Sequence, residues 1–294
     1  MKIIQPKVSL WIQHDKVAHV ACCARVCYGR EQGNNNALYD SLEKRNHLSM
    51  YRHETYYSAF PVKGKDDLIY YALNGYLYNP YIKYITYKDY CYIITNGHFL
   101  RDIQKINPFL YNSIYNYQIT SEEAEQIEPI WKHFMRYTFY VTTQISTSRE
   151  LNRVSPNNIA EQSTRYVYED GTICKPHWLE GYKISKGLKG GLYVYKDENT
   201  EIEMNNKVRL YIEDCERSFN TYKELIDAGL SRQDARGVLP LDTATKCVYT
   251  YSIEEWRKII DLRYYGTTGK PHPNAKIAAG MIREQLIELG YDFR

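Results

Sequence analysis

Helical and strand-like hydrophobic patterns alternate along this chain, and together they restrict it to a mixed fold. Apolar residues recur at three- and four-residue steps from Val208 to Leu230, which predicts the longest helix. The same helical spacing occurs from Val17 to Val26. Met135 to Ile145 is instead rich in Tyr, Phe, Val and Thr, which is typical of a strand. We therefore expect both α and β structure.

The C-terminal part contains local signals for two further helices. Ser252-Ile-Glu-Glu255 has the spacing of a capping box, so a helix should begin there and run to about Arg263. Ala275 to Leu289 predicts another helix, and Tyr264 to Pro273 between the two is a loop rich in Gly and Pro. Lys186 to Asn206, with Gly190-Gly191 and many charges, is expected to be a surface insertion or hairpin.

Composition narrows the function classes. No internal repeat or linker is visible, so we expect a single domain over residues 1–294. No apolar run is long enough for a membrane helix, and the start of the chain lacks a signal-peptide pattern, so a cytoplasmic location without membrane contact is expected. The 38 basic and 35 acidic residues are too balanced for a general nucleic-acid binder. Seven scattered cysteines form no C-x-x-C pair, and the eight histidines show no ligand spacing, so no metal site is predicted.

The segment from Ser148 to Val167 carries most of the chemistry. It places Arg149, Arg153 and Arg165 among hydroxyl and amide side chains, with Glu150 and Glu161 nearby. Guanidinium and hydroxyl donors of this kind can hold a phosphate, while carboxylates orient the arginines or a sugar hydroxyl. A solvated polar loop after a strand would have the same composition, so residue types alone leave both interpretations open.

Several motifs favour the first interpretation. Glu150-Leu-Asn-Arg153 followed by Glu161-Gln-Ser-Thr-Arg-Tyr166 resembles the signature of flavin-dependent thymidylate synthases, which is R-H-R, seven residues, then Ser. Further stretches resemble the family in the same order along the chain, namely Ala24–Tyr28, His47–His53, Ala235–Leu241, Ile259–Arg263 and Pro271–Ala275. The resemblance implies an α/β (α+β) domain of that family's fold, with a central sheet flanked by helices.

The resemblance also implies an activity and a nucleotide site. The activity would be methylation of dUMP to dTMP, with Arg263 and Ser163 as catalytic residues and Arg263 stabilising negative charge on the uracil ring. The residues implied to bind dUMP are Glu150, Arg153, Glu161, Gln162, Ser163, Thr164, Arg165, Arg236 and Arg263.

Cofactors follow from the same resemblance. Methylenetetrahydrofolate would donate the carbon, and FAD reduced by NADPH would supply a hydride, so the protein contributes positioning and electrostatics rather than a cysteine nucleophile. The residues implied to bind FAD are Ser49, Arg153, Val154, Ser155, Glu161, Ser252, Glu254 and Lys258. Family members are homotetramers with sites shared between subunits, and we expect the same assembly here.

The flavin side departs from the family pattern more than the nucleotide side does. R-H-R is replaced by Arg153-Val154-Ser155, Arg52 stands where a glutamate is common, and Ser252 and Glu254 stand where Asn and Arg are usual. The loss of charged hydrogen-bond donors lowers the affinity for a flavin. Two alternatives therefore stay open, a related pyrimidine nucleotide carbon 5 hydroxymethyltransferase and a non-catalytic nucleotide-binding paralogue.

Overall fold

The computed structural model describes residues 1–64, 67–152, 157–180, 183–186, 193–197, 200–202 and 206–293. The strands are β1 Lys2–Ile4, β2 Lys7–Trp11, β3 Thr55–Pro61, β4 Ile82–Tyr87, β5 Tyr90–Asn96, β6 Gln118–Ile119, β7 Arg136–Gln144, β8 Ile159–Glu161, β9 Thr172–Cys174, β10 Lys183–Lys186, β11 Tyr193–Asp197, β12 Thr200–Ile202 and β13 Ala244–Ser252. The α-helices are α1 Lys16–Cys27, α2 Asn35–Lys44, α3 Leu68–Asn74, α4 Gly97–Ile103, α5 Pro108–Asn116, α6 Ser121–Glu125, α7 Ile145–Leu151, α8 Asn206–Asp227, α9 Arg232–Ala235, α10 Ile253–Ile260 and α11 Pro273–Glu288. Short 3-10 helices span Leu48–His53, His177–Leu179 and Arg236–Val238, and π-helical turns span Ile130–Phe134 and Asp261–Tyr265. The expected mixed α/β class is confirmed.

The main sheet has the strand order β2-β7-β13-β8 and is antiparallel throughout. Successive side chains of a strand point to opposite faces, so each long strand contributes to two layers. On one face, Phe139 of β7 lies beside Tyr249 of β13, and both are buried in the largest core cluster together with Trp256 of α10 and Ile282 of α11. This arrangement confirms the predicted strand and the two predicted C-terminal helices.

The opposite face of the main sheet is covered by α1. Asp15 begins this helix by accepting a hydrogen bond from the Ala18 amide, as an N-cap does. Cys23 and Val26 then pack against Val248 of β13. The predicted helix from Val17 to Val26 is thus confirmed, and its C-terminal end comes close to the chain that follows β8, since the Ser163 amide donates to the Cys27 carbonyl.

A second antiparallel sheet has the order β4-β5-β3-β6. One of its faces joins the largest core cluster through Tyr57, Tyr92 and Ile94, and the other face packs under α3, α4 and α5. Tyr57 and Tyr92 thus help to hold the second sheet against the core of the main sheet.

The remaining predictions concern the C-terminal half. Helix α8 is confirmed, although it ends at Asp227, and Gly229 follows with a positive φ of 99°. Antiparallel strands β10, β11 and β12 lie in and beside the expected insertion, of which residues 187–192, 198–199 and 203–205 lie outside the described residues. In the described part of the chain, no helix is long and apolar enough to cross a membrane.

The capping box at α10 is confirmed, because the Ser252 hydroxyl accepts from the Glu255 amide and the Glu255 carboxylate accepts from the Ser252 amide. The helix was expected to continue to about Arg263. It instead widens into the π-helical turn Asp261–Tyr265, which Gly266 closes in a left-handed conformation with φ 73°. Arg263 is therefore presented from a widened turn, a geometry often found at functional sites.

Candidate functional site

A cavity of about 580 Å³ lies where β7 passes into α7, beside the end of β8. We call it the nucleotide cavity. It is lined by Ile145, Ser148, Arg149, Glu161, Gln162, Ser163, Thr164, Arg236, Gly237, Leu239, Pro240 and Leu241. Five of the residues predicted to contact a nucleotide therefore share one cavity, although they come from segments more than seventy positions apart. Arg149 also lines it, a residue that the sequence analysis named among possible phosphate donors but that the family resemblance did not include in the nucleotide set.

Glu161 is held in one orientation by three side chains. Its carboxylate accepts hydrogen bonds from the Ser148 hydroxyl (2.7 Å), the Thr245 hydroxyl (3.3 Å) and the Asn152 amide (3.3 Å). Ser148 and Thr245 are almost completely buried. Because these partners are fixed by α7 and β13, the carboxylate is positioned before any ligand arrives, which lowers the entropy cost of binding.

The turn after Glu161 supplies donors at the cavity wall. The Ser163 carbonyl accepts from the amides of Tyr166 (3.0 Å) and Val167 (2.9 Å), which closes a compact turn. Across the cavity, Arg236 Nη1 donates to Thr164 Oγ1 at 3.0 Å. Within the described part of the chain, no carboxylate lies within 4 Å of Arg236. Its exposed guanidinium can therefore donate hydrogen bonds to an anion such as a phosphate.

Three predicted nucleotide residues lie beside the cavity rather than in its lining. Arg165 Nε donates to Gln233 Oε1 at 3.3 Å on the exposed side of the turn. Arg263 Nη1 lies 3.4 Å from Glu150 Oε2, and the Arg263 side chain is only 15% exposed. The Arg263 Nε atom is buried without a hydrogen-bond partner in the described structure. Since Glu150 directly follows the cavity residue Arg149, the ion pair holds Arg263 close to the site.

The residues predicted on the flavin side are dispersed in this chain. Ser49 is exposed on the 3-10 helix Leu48–His53, and Lys258 is exposed on α10. Ser252 uses its hydroxyl to cap α10, while Glu254 Oε1 lies 3.6 Å from His133 Nδ1. Among the residues of the flavin set that the structure describes, only Glu161 lines the nucleotide cavity.

The altered motif Arg153-Val154-Ser155 lies outside the described residues. Its roles in nucleotide and flavin binding therefore remain predictions.

A second cavity, of about 440 Å³, lies between α1 and α2. We call it the cationic cavity, because Arg25, Arg30, Arg45 and His47 line it and no acidic residue is among its described lining residues. Arg25 is 6% exposed, and its Nη2 atom donates to the Gly33 carbonyl (2.8 Å) and to Asn35 Oδ1 (2.7 Å). This donor set is suited to a diphosphate such as that of FAD.

Sequence reasoning did not assign Arg25, Arg30 or Arg45 to the site, and it placed His47 in the flavin-side loop or in packing. The available signal was that Arg25 and His47 fall within the two stretches that resemble the family's opening helix and its flavin-side loop.

A ring contact connects the cationic cavity to the turn that carries Ser163. Tyr28 lines the cationic cavity, and its ring centroid is 5.7 Å from that of Tyr166, three residues after Ser163. Next to Tyr28, Gly29 has a positive φ of 61°, and a side chain there would come within 3.1 Å of Val167. A glycine is thus favoured at the position where the end of α1 meets the turn, because any side chain there would be strained.

The cysteines near the site are not activated. Burial raises the pKa of the Cys27 thiol, and burial together with the nearby Glu161 raises the pKa of Cys247 well above its ordinary value. A raised pKa disfavours the thiolate, which is the nucleophilic form. Among the residues that the structure describes, no group of His, Cys, Asp and Glu side chains could hold a metal ion.

Comparison with known proteins identifies the family. The model of the family described as thymidylate synthase complementing protein matches residues 128–288, which is more than half of the chain. The chain belongs to this family. The matched region contains β7, α7, β8, β13, α10 and α11, and hence every residue that lines the nucleotide cavity.

Individual relatives are distant. The chain is 27% identical over 129 residues to a flavin-dependent thymidylate synthase of Kosmotoga olearia, a match that covers 43% of this chain and 53% of the relative. The chain thus spans about half the length of that curated relative. Two solved structures of a UMP/dUMP methylase, PolB from Streptomyces cacaoi, resemble the chain with a TM-score of 0.43 each. The form bound with 5-Br dUMP is 18% identical, covering 65% of this chain and 85% of that one, and the form bound with 5-Br UMP is 16% identical, covering 98% and 92%.

Proposed function

We propose that this chain binds dUMP in the nucleotide cavity and methylates it at carbon 5 to give dTMP. The observation that carries the proposal is the convergence of Glu161, Ser163, Thr164 and Arg236 on one cavity. Those residue types form a phosphate and sugar site, and they belong to a chain of the thymidylate synthase complementing protein family.

Each side chain has a distinct task in this proposal. Arg236, with the hydroxyls of Ser163 and Thr164, binds the phosphate. Glu161, already oriented by Ser148, accepts a hydrogen bond from a sugar hydroxyl. Arg263, held by Glu150, approaches the pyrimidine ring and stabilises the negative charge that develops on it during attack at the carbon donor. The proposal includes a homotetramer whose sites combine residues of different subunits, as the resemblance to flavin-dependent thymidylate synthases implies.

The cationic cavity would hold the diphosphate of FAD through Arg25, Arg30, Arg45 and His47. When bound and reduced by NADPH, the flavin supplies a hydride, and methylenetetrahydrofolate supplies the carbon. The chain's own contribution is to hold the two cavities in a fixed arrangement through the contact of Tyr28 with Tyr166 and to keep the nucleotide's charged groups paired.

The test is product formation together with nucleotide binding. The purified protein is incubated with FAD, NADPH, methylenetetrahydrofolate and dUMP, the nucleotide product is identified by mass spectrometry, and dUMP binding is measured separately by calorimetry. Formation of dTMP is expected. A 5-hydroxymethyl product would contradict the proposal and indicate the related hydroxymethyltransferase. Binding of dUMP without binding of flavin would indicate a non-catalytic nucleotide-binding paralogue.

A variant sharpens this test. Arg263→Ala should reduce turnover by at least about 100-fold, the effect of losing one donor to developing charge, while the protein stays folded. Arg217→Ala is the matched control, because Arg217 is an exposed residue on α8 whose ion partner is Asp214. Equal activities of the two variants would remove Arg263 from the mechanism.

A further inference from the structure

Four buried side chains form a hydrogen-bonded series that runs from α1, across two strands of the main sheet, to the 3-10 helix Leu48–His53. His19 Nε2 lies 3.1 Å from Thr138 Oγ1. The hydroxyl oxygens of Thr138 and Thr250, which are direct neighbours in the register of β7 and β13, are 2.7 Å apart. His53 Nδ1 lies 2.8 Å from Thr250 Oγ1. Each of the four residues is at most 6% exposed. We call this series the histidine–threonine relay.

The number of protons in the relay is fixed. Both imidazoles are neutral at pH 7, because burial above all lowers the pKa of His19 to about 4 and the pKa of His53 to about 3. A neutral imidazole has one donor nitrogen and one acceptor nitrogen, and a threonine hydroxyl donates one hydrogen bond. Three hydrogen bonds need three protons, and the two hydroxyls supply two of them. One ring nitrogen must therefore supply the third proton, and the ring nitrogen at the other end must accept.

This requirement couples the tautomers of the two rings. If His19 donates from Nε2, His53 accepts at Nδ1 and carries its own proton on Nε2. If His53 donates from Nδ1, His19 accepts at Nε2 and carries its proton on Nδ1. In both cases the two protons sit on the same-named nitrogen. The second case is favoured, because His53 Nε2 is buried without a hydrogen-bond partner in the described structure, and an unpaired buried N–H group is rarer than an unpaired acceptor.

The relay joins two elements that line the cationic cavity. His53 ends the 3-10 helix that follows His47, and His47 lines the cavity. His19 lies on α1, which carries the cavity residue Arg25 six positions later. The relay thus holds α1 and the 3-10 helix in one relative position, although neither of its rings is among the cavity's described lining residues.

We propose that His19 and His53 act as a coupled pair of positioning residues for the cationic cavity, with their protons on the same-named ring nitrogen. The relay holds Arg25 and His47 in place before an anionic ligand arrives, which lowers the entropy cost of binding. The inference rests on the proposed function only in assigning a diphosphate to that cavity.

The first measurement is the tautomer of each ring, read by NMR from the full chain labelled with ¹⁵N-histidine at pH 7. The protonated and unprotonated nitrogens of a neutral imidazole give separate signals, and His19→Gln and His53→Asn assign them by the loss of one ring each. We expect both rings to be protonated on Nδ1. Rings protonated on differently named nitrogens, or a charged ring, would overturn the inference.

The second measurement is the affinity for inorganic pyrophosphate by calorimetry. Thr250→Val removes a central hydroxyl of the relay with little change of shape, and it should lower the affinity about 10-fold, the effect of about one hydrogen bond. Thr250→Ser keeps the hydroxyl and should retain the affinity. Thr95→Val is the matched control, because Thr95 is an equally buried threonine whose hydroxyl donates to the Tyr81 carbonyl in the second sheet.

A thermal melt of each variant verifies folding, and Thr138→Val, which interrupts the same relay, takes the place of Thr250→Val if the latter does not fold. Equal affinities of the wild-type protein and the valine variant of the relay would overturn the positioning role, as would an equal loss in Thr95→Val. Absence of pyrophosphate binding by the wild-type protein would instead overturn the cofactor site of the proposed function, and the tautomers would then decide this inference by themselves.

Discussion

Removing Arg236 should weaken phosphate binding specifically. Its guanidinium is exposed toward the cavity, donates to Thr164 Oγ1 at 3.0 Å, and has no carboxylate partner within 4 Å in the described part of the chain. Charge-assisted hydrogen bonds contribute about 1.5 to 3 kcal/mol, so Arg236→Ala should raise the Kd for dUMP about 10- to 150-fold. Because the side chain is exposed, the free energy of unfolding should change by less than about 0.5 kcal/mol.

The assay compares dUMP with deoxyuridine, which has the same base and sugar but no phosphate. Calorimetric titrations of both ligands into the wild-type protein and into Arg236→Ala separate the phosphate contact from the rest of the site. The loss should appear for dUMP and be close to zero for deoxyuridine. Arg217→Ala, on α8, should bind both ligands as the wild type does. An equal loss for the two ligands would refute the assignment of Arg236 to the phosphate.

Two further predictions concern the fold that supports the site. Gly97→Ala would place a methyl group against the buried carboxylate of Glu54, which forms an ion pair with Arg101. The variant should lose about 3 to 5 kcal/mol of unfolding free energy in urea titrations, as breaking a buried ion pair does. Gly75→Ala, with open space around the added methyl group, should lose less than about 1 kcal/mol. Burial lowers the pKa of His19 to about 4 and of His53 to about 3, below their ordinary value of 6.5. Stability should therefore be complete above pH 6.5 and fall below it, by about 2 kcal/mol for each histidine at pH 5, and a melting temperature that stays constant from pH 7 to pH 5 would contradict this. His53→Asn, which keeps a donor near Thr250 but does not titrate, should show about half of the acid sensitivity.

The parts of the fold that were predictable are those with local signals. The capping box at Ser252 and Glu255 involves residues three positions apart, and the apolar stripe of α8 repeats within a single element. The pairing of β3 with β6 in the second sheet has no such signal, because the two strands lie about sixty residues apart, as at Tyr57 and Ile119. Sequence patterns do not encode which distant strands meet, since pairing is decided by packing of the shared core.

The same distinction between local signals and distant contacts applies to the candidate site. Resemblance to the family indicated Glu161, Ser163 and Arg236, because the motif residues are contiguous or nearly so in the sequence. It could not indicate that Thr245 orients Glu161, because the two residues lie 84 positions apart in the sequence. The π-helical turn that carries Arg263 was also missed, because its sequence continues the apolar spacing of an ordinary helix.

The contact between α1 and the turn after β8 has a consequence for how the two cavities are placed. Gly29 at the end of α1 lies against Val167 of the turn, and the Ser163 amide donates to the Cys27 carbonyl. These are backbone and close-packing contacts rather than ligand-binding side chains. The relative positions of the two cavities are therefore set by how α1 packs on this turn, and a side-chain change within one cavity can alter its affinity for a ligand without altering those positions.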